Sequence, residues 1–242
     1  MKREEGFLLA LESAGRLGGA ALLGADGALI HEAFLADGMR HGRGLLLAAE
    51  RCLASRGLEL QAVGAVTVDI GPGSYTGLRV GVMLAKALAW GRRIPLTGVF
   101  SLDALAWEAR GRARHVVAAL TARRGEICAA VYDASLEEVE RRGPIRVLTP
   151  EELFRELSSL APHATLVGDA ATALGVERLE ALSLAPQAEE LLFPPPRAVG
   201  RLGWQALRSN PGGVPVHALQ PVYPRREGVS MPVLGEPVEG GA

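Results

Sequence analysis

Alternation between short apolar runs and polar turn residues divides the first hundred residues into strands and helices. Asp26-Gly27 is a hairpin-turn signal between two of the runs, and Gly57 suits the end of a helix predicted over residues 43–56. A second helix follows a glycine-rich stretch and continues to about Trp90. This order predicts a mixed sheet with crossover helices. The runs typical of β-strands cover residues 7–11, 18–23, 28–35, 62–68 and 96–100.

The rest of the chain repeats this alternation and ends in a tail rich in Pro and Gly. The Thr-Pro-Glu-Glu sequence at residues 149–152 predicts a capped helix start. Three prolines at residues 194–196 form a stiff break before a last helix over residues 198–208. Further strands are predicted over residues 115–120, 127–132, 145–148 and 164–167. We therefore expect an N-terminal lobe, a smaller second lobe and a C-terminal helix with an extended tail, over residues 1–100, 101–196 and 197–242.

The most informative stretch is the glycine-rich sequence GPGSYTGLRVG at residues 71–81, between a predicted strand and a predicted helix. Backbone N–H groups in such a turn can converge on one point, and the helix N-terminus adds partial positive charge. The turn therefore favours either an anion such as a phosphate or a tight backbone crossing. The candidate anion-binding residues here are Gly71, Gly73, Ser74 and Thr76.

Three well-known motifs do not fit this stretch. A Walker P-loop needs Lys-Ser or Lys-Thr after the glycines, and neither pair follows them. The glycine spacing also differs from the Rossmann G-x-G-x-x-G motif. Pro72 and Thr76 stand where the G-x-S-x-G motif needs glycines, so we interpret Ser74 as part of a structural turn rather than as a nucleophile.

Composition is that of a globular protein with one large domain or two lobes. The 26 basic and 27 acidic residues nearly cancel, which argues against an autonomous nucleic-acid binder. Cys52 and Cys128 lie in apolar segments and are expected to be buried free thiols of a reducing compartment. No stretch approaches ~20 apolar residues, so we expect a cytoplasmic protein without a membrane segment.

Few residues are positioned for chemistry. The five histidines never approach the spacing of a metal motif such as H-E-x-x-H, so no metal site is predicted. Asp69 ends a predicted strand, where it could act as a catalytic carboxylate or hydrogen-bond to the glycine turn. Glu12 follows the first strand, at the corner where an actin-like ATPase handles its metal–nucleotide complex. The Asp-x-Gly-Thr pattern of that corner is absent, so we expect an incomplete nucleotide pocket around Glu12.

The second predicted helix is apolar around nearly its whole circumference, with only Arg79 and Lys86 charged. Such a helix needs covering on two sides, of which its own sheet supplies one. The ridge of small residues along it either packs inside the monomer or forms a subunit interface. If it forms an interface, Gly81→Leu should block association and leave the monomer folded. The ridge repeats every four positions, at Gly77, Gly81, Ala85 and Ala89.

The glycine-rich stretch, with Ala-Lys-Ala-Leu-Ala behind it, resembles the signature of the TsaB (YeaZ) family. Weaker matches at His41, at residues 122–126 and at residues 221–225 extend the resemblance over most of the chain. Glu12 and Thr121 stand where the family usually has Asp, which weakens any nucleotide or metal role for those two corners.

The resemblance implies a two-lobed α/β fold of the actin/Hsp70-like (ASKHA, RNase H-like) type, with mixed sheets flanked by helices. It also implies a non-catalytic subunit that binds and activates TsaD, works with the ATPase TsaE and meets tRNA only through the complex. That complex transfers a threonylcarbamoyl group to the adenosine just 3′ of the anticodon. No cofactor is implied, although ATP or ADP at the partner interface stays open.

The first two helices of the N-terminal lobe carry the implied interface. Family members use them to bind TsaD, and to form homodimers when TsaD is absent. By resemblance, the interface residues are His41, Leu45, Ala49, Cys52, Gly77, Arg79, Gly81 and Lys86.

Two other functions stay open on the sequence. An independent ATPase or small-molecule kinase of the same fold would use Glu12, Asp69 and the glycine turn. A metallo-glycopeptidase, a label attached to some related sequences, would need metal ligands that the histidine spacing does not provide. An accessory subunit without a reaction of its own is the favoured hypothesis.

Overall fold

The computed structural model describes residues 6–16, 18–35, 41–135, 138–161, 163–184 and 191–225, except for the side chain of His41. Within these residues, the N-terminal lobe is built on a five-stranded mixed sheet of order β3-β2-β1-β4-β5. The first three strands are antiparallel, whereas β1–β4 and β4–β5 are parallel pairs. The strands are β1 (Phe7–Glu12), β2 (Gly19–Leu23), β3 (Leu29–Phe34), β4 (Val63–Gly71) and β5 (Leu96–Phe100).

Helices cover both faces of this sheet, because neighbouring residues of each buried strand point to opposite faces. On one face, Leu9 and Leu11 share a core with α1 (His41–Ala54) and α2 (Tyr75–Arg92). On the other face, Leu8 and Ala10 pack against α7 (Pro196–Ser209). The parallel crossovers between β1, β4 and β5 confirm the predicted mixed sheet.

The second lobe carries another mixed sheet, of order β10-β6-β7-β8, with β9 also paired to β7. Thr149 and Glu152 form the predicted capping box at the start of α4. The strands are β6 (His115–Thr121), β7 (Ile127–Ala134), β8 (Val139–Arg141), β9 (Arg146–Leu148) and β10 (Ala164–Val167). The helices are α4 (Pro150–Leu160), α5 (Ala171–Leu174) and α6 (Val176–Ala181).

One more helix, α3 (Ser101–Glu108), connects the two sheets. It was not predicted, and neither were β8, α5 and α6. Helix α3 packs against β6 and β7, and its Asp103 accepts a hydrogen bond from Tyr132 Oη at 2.8 Å. The tail then crosses the N-terminal lobe, because Val214 N–H donates to Leu96 O at 2.8 Å and Val222 N–H donates to Ile70 O at 2.7 Å. The described part of the tail therefore reaches the glycine turn.

Candidate functional site

The glycine turn joins β4 to α2 by a close crossing over the end of β1. Ser74 caps α2: its Oγ accepts a hydrogen bond from Gly77 N–H at 3.2 Å, and its own N–H donates to Ala14 O at 2.9 Å. A Cβ on Gly73 would lie 2.7 Å from the Cβ of Ala14, so only glycine permits this approach. These contacts favour a tight backbone crossing.

The predicted anion site at Gly71, Gly73, Ser74 and Thr76 stays a prediction. Gly71 has a φ of 109°, a conformation that favours glycine, and its N–H donates to Asp69 Oδ1 at 2.7 Å. Two of the N–H groups that would bind an anion, those of Gly71 and Ser74, therefore have acceptors inside the chain.

Two carboxylates are buried at the ends of the parallel neighbours β1 and β4. Glu12 Oε1 accepts hydrogen bonds from the N–H groups of Ala14 and Gly15, at 2.6 and 2.8 Å. Asp69 Oδ1 accepts from Ser101 Oγ at 2.7 Å as well as from the glycine turn, so the structure shows the hydrogen-bonding alternative of the two roles open for Asp69. Asp69 Oδ2 is buried and has no hydrogen-bond partner among the described residues.

Burial raises the pKa of both carboxyl groups. The pKa of Glu12 rises to about 8, chiefly because of desolvation and then because of repulsion from Asp69. The pKa of Asp69 rises to about 7, again chiefly through desolvation, although the hydrogen bond from Ser101 lowers it. The pair therefore keeps a proton near neutral pH.

The carboxylate pair has almost no surface open to a ligand, since Glu12 is 1% exposed and Asp69 is 0% exposed. Part of the closure comes from the segment before α7. A Cβ on Gly15 would lie 2.8 Å from Phe193 Cβ, and Gly168 N–H donates to Leu191 O at 2.7 Å. The corner around Glu12, where the sequence predicts an incomplete nucleotide pocket, is thus filled by the chain itself.

The small-residue ridge of α2 faces inward. A Cβ on Gly77 would overlap Ser13 O, and a Cβ on Gly81 would overlap Ser13 Oγ. The interface interpretation of this ridge is therefore wrong. Because a side chain at Gly81 would overlap Ser13, we expect Gly81→Leu to disturb the monomer instead of leaving it folded. The predicted interface residues that are buried within the monomer are Leu45, Ala49, Cys52, Gly77 and Gly81.

The three other predicted interface residues differ in their surroundings. Arg79 is exposed on α2. Lys86 is half-buried, and its Nζ donates to Leu219 O at 3.0 Å and to His217 O at 3.3 Å, so it holds the tail. The side chain of His41 lies outside the described residues.

Large apolar side chains nevertheless remain exposed on both helices. Leu46 of α1 is 44% exposed, and Met83 and Trp90 of α2 are 64% and 78% exposed. Met83, Ala87 and Trp90 follow one another at spacings of four and three residues, so they share one side of α2. We call Leu46, Met83, Ala87 and Trp90 the α1–α2 face. The described residues of the monomer leave these apolar side chains uncovered, which is typical of a partner surface.

Beside the start of α2, aromatic and cationic side chains from three distant segments meet. The rings of Tyr75 and Tyr223 lie 5.0 Å apart between centroids, and Arg79 Nη1 donates to Tyr75 Oη at 2.8 Å. The guanidinium carbon of Arg123 lies 5.5 Å from the Tyr75 ring centroid. Tyr75, Tyr223, Arg123 and Arg225 border a cavity of about 590 Å³, which Glu126 also lines. Arg79 joins this group through its hydrogen bond to Tyr75, and we call the two tyrosines and three arginines the Tyr75 cluster. Sequence reasoning missed the cluster, because only the tertiary fold joins its members.

Three further observations concern metals, membranes and the cysteines. In the described ranges, His, Cys, Asp and Glu nowhere form a group of three or more that could hold a metal ion. None of the helices found there has the length and apolar character needed to cross a membrane. Cys52 and Cys128 are buried and free, as predicted.

Comparison with known proteins gives a consistent picture. The family model for TsaD, tRNA N6-adenosine threonylcarbamoyltransferase, matches residues 38–164, more than half of the chain. The tRNA threonylcarbamoyladenosine biosynthesis protein TsaB of Escherichia coli is 31% identical over 168 residues, 63% of this chain and 70% of that protein. TsaB of Bacillus subtilis is 43% identical over 72 residues, 30% of this chain and 31% of that protein. A Pseudomonas aeruginosa structure described as similar to peptidase YEAZ has a TM-score of 0.74 at 27% identity, covering 91% of this chain and 100% of that one.

The two mixed sheets with their helices, together with these matches, define an actin-like (ASKHA) α/β protein, as predicted. Within that class, the chain belongs to the TsaB (YeaZ) family of tRNA threonylcarbamoyladenosine biosynthesis proteins.

Proposed function

We propose that this protein is a non-catalytic subunit that binds and activates a TsaD-type catalytic subunit in the threonylcarbamoylation of tRNA. The observation that carries the proposal is a contrast between two sites. The α1–α2 face leaves Met83 and Trp90 exposed to a partner. In contrast, Glu12 and Asp69, at the corner where an actin-like ATPase handles its nucleotide, are at most 1% exposed.

The same proposal covers the other members of the assembly. A TsaE-type ATPase completes the complex, and tRNA is reached only through it, in keeping with a chain whose charges nearly cancel. Without its partner, the chain pairs with a second copy through the α1–α2 face, because the same apolar area then needs covering. The proposed location is the cytoplasm, where tRNA is modified. We propose that the chain needs no cofactor of its own.

Met83→Glu tests the proposed surface, because it adds a charge to a side chain that is 64% exposed and so leaves the fold intact. Val176→Glu is a matched control, since Val176 is 68% exposed but lies on α6 of the second lobe. Size-exclusion chromatography with light scattering should show loss of both the homodimer and the complex with the TsaD-type subunit for Met83→Glu alone. Normal pairing by Met83→Glu would refute the surface.

An independent ATPase would give a different result. The isolated chain would then bind magnesium–ATP tightly, and Glu12→Gln would abolish that binding. We expect no such binding, because Glu12 has almost no exposed surface.

A further inference from the structure

The Tyr75 cluster combines cationic and aromatic groups that the fold leaves accessible. Arg79, Arg123 and Arg225 are exposed, and so are the residues Tyr75 and Tyr223, at 45% and 36%. None of the three arginines forms a salt bridge with a described residue. Arg123 and Arg225 therefore border one cavity, together with Glu126, and Arg79 is exposed beside Tyr75. Within the described part of the chain, no ion pair compensates the charges of these three guanidinium groups.

The pattern of this cluster matches the chemistry of single-stranded nucleic-acid binding. Proteins that bind single strands combine cationic groups for the phosphates with aromatic rings on which bases stack. Arg123 and Arg79 already lie near the Tyr75 ring, at 5.5 and 5.3 Å from its centroid, so phosphate and base contacts would be adjacent. A carboxylate-bearing peptide would use the arginines but would leave the exposed rings without a role.

We propose that the Tyr75 cluster binds unpaired nucleotides of the tRNA substrate, with phosphates on the arginines and a base on an exposed tyrosine ring. This inference rests on the proposed function. The cluster belongs partly to the first turns of α2, since Tyr75 and Arg79 lie there, and Met83 of the α1–α2 face is one turn further along. RNA held by the cluster would therefore lie beside the bound catalytic subunit.

Because the Tyr75 cluster is small, RNA binding by it is compatible with a chain whose net charge is close to zero. Three phosphate contacts give a salt slope of only about −2 for a single strand, because each contact contributes roughly −0.7. Such binding is weak for the chain alone and becomes useful when another subunit holds the same RNA.

The test measures tRNA affinity against salt for the complex with the TsaD-type subunit. Arg123→Gln/Arg225→Gln should reduce the slope of log K against log salt by about 1.4, two contacts at roughly 0.7 each. Arg201→Gln/Arg208→Gln is the matched control, because both side chains stack on Trp204 of α7, on the opposite face of the sheet. The control should keep the wild-type slope, and both variants should still bind the catalytic subunit.

Three results would overturn the inference. The first is an unchanged slope in Arg123→Gln/Arg225→Gln, and the second is loss of subunit association by that variant. The third is ATP binding at the cluster that excludes RNA. If the wild-type chain does not associate with the catalytic subunit, the proposed function fails. NMR titration of the chain alone with a single-stranded oligoribonucleotide then decides the inference: shifts of the Tyr75 and Tyr223 ring signals support it, and unshifted signals overturn it.

Discussion

Replacing Gly81 by Ala should destabilise the monomer, although alanine normally stabilises a helix. Gly81 lies on the buried side of α2, where a Cβ would overlap the hydroxyl oxygen of Ser13 and lie 3.3 Å from its Cβ. That hydroxyl donates a buried hydrogen bond to Gly77 O at 2.8 Å. Ser13 therefore cannot move aside without breaking the hydrogen bond.

The expected magnitude follows from three contributions. Overpacking costs about 1–3 kcal/mol, and leaving the buried Gly77 carbonyl without its donor costs about 1–3 kcal/mol, while the helix gains about 1 kcal/mol over glycine. The net loss in unfolding free energy is about 1–5 kcal/mol. Gly91, in the last turn of the same helix, has open space around it. Gly91→Ala should therefore stabilise the protein, by up to about 1 kcal/mol.

Urea unfolding of both variants provides the assay. Their unfolding free energies are compared with that of the wild-type chain, provided that the dependence on urea concentration is the same. A double variant, Ser13→Ala/Gly81→Ala, separates the clash from other effects. With the hydroxyl removed, Gly81→Ala should cost less than it does beside Ser13, so the two changes are not additive. The packing argument is refuted if Gly81→Ala and Gly91→Ala change stability equally.

Two other perturbations test the buried charges and the tail. Unfolding free energy should fall as pH rises from about 6 to 8, because the folded state binds protons on Glu12 and Asp69 that the unfolded chain has released. For Glu12→Gln, thermal unfolding should show a smaller loss of stability over the same pH range than for the wild-type chain. An equal loss would contradict the pKa shifts. Lys86→Met removes the donor to the carbonyls of His217 and Leu219, so amide exchange by mass spectrometry should speed up around them. Unchanged exchange would show that Lys86 does not hold the tail.

Much of the fold could be predicted because periodicity and turn chemistry agreed locally. The five strands of the first sheet, the capping box at Thr149 and the glycine turn all carry short-range signals. The helix α3 was missed because it has only eight residues and begins at Ser101, directly after β5, with no loop residues between them. Its position depends on the packing of the two sheets, which local sequence does not encode.

The candidate site was less predictable, because a pattern identifies small or apolar positions but does not say what covers them. The repeat at Gly77 and Gly81 is the same whether the helix meets a partner or Ser13 of its own chain. The exposed positions Met83 and Trp90 belong to the same apolar helix and could not be separated from its buried residues. Joining Tyr75 to Tyr223 likewise needed tertiary structure.

One measurement tests the proposed function most directly. It is the amount of threonylcarbamoyladenosine that the TsaD-type subunit forms in the presence of the Glu12→Gln/Asp69→Asn variant of this chain. Both amides keep the oxygen that accepts hydrogen bonds from Ala14, Gly15, Gly71 and Ser101, so the variant should fold. A non-catalytic subunit predicts that the variant stimulates tRNA modification as well as the wild-type chain does. Loss of modification by a folded variant that still binds the catalytic subunit would contradict this account.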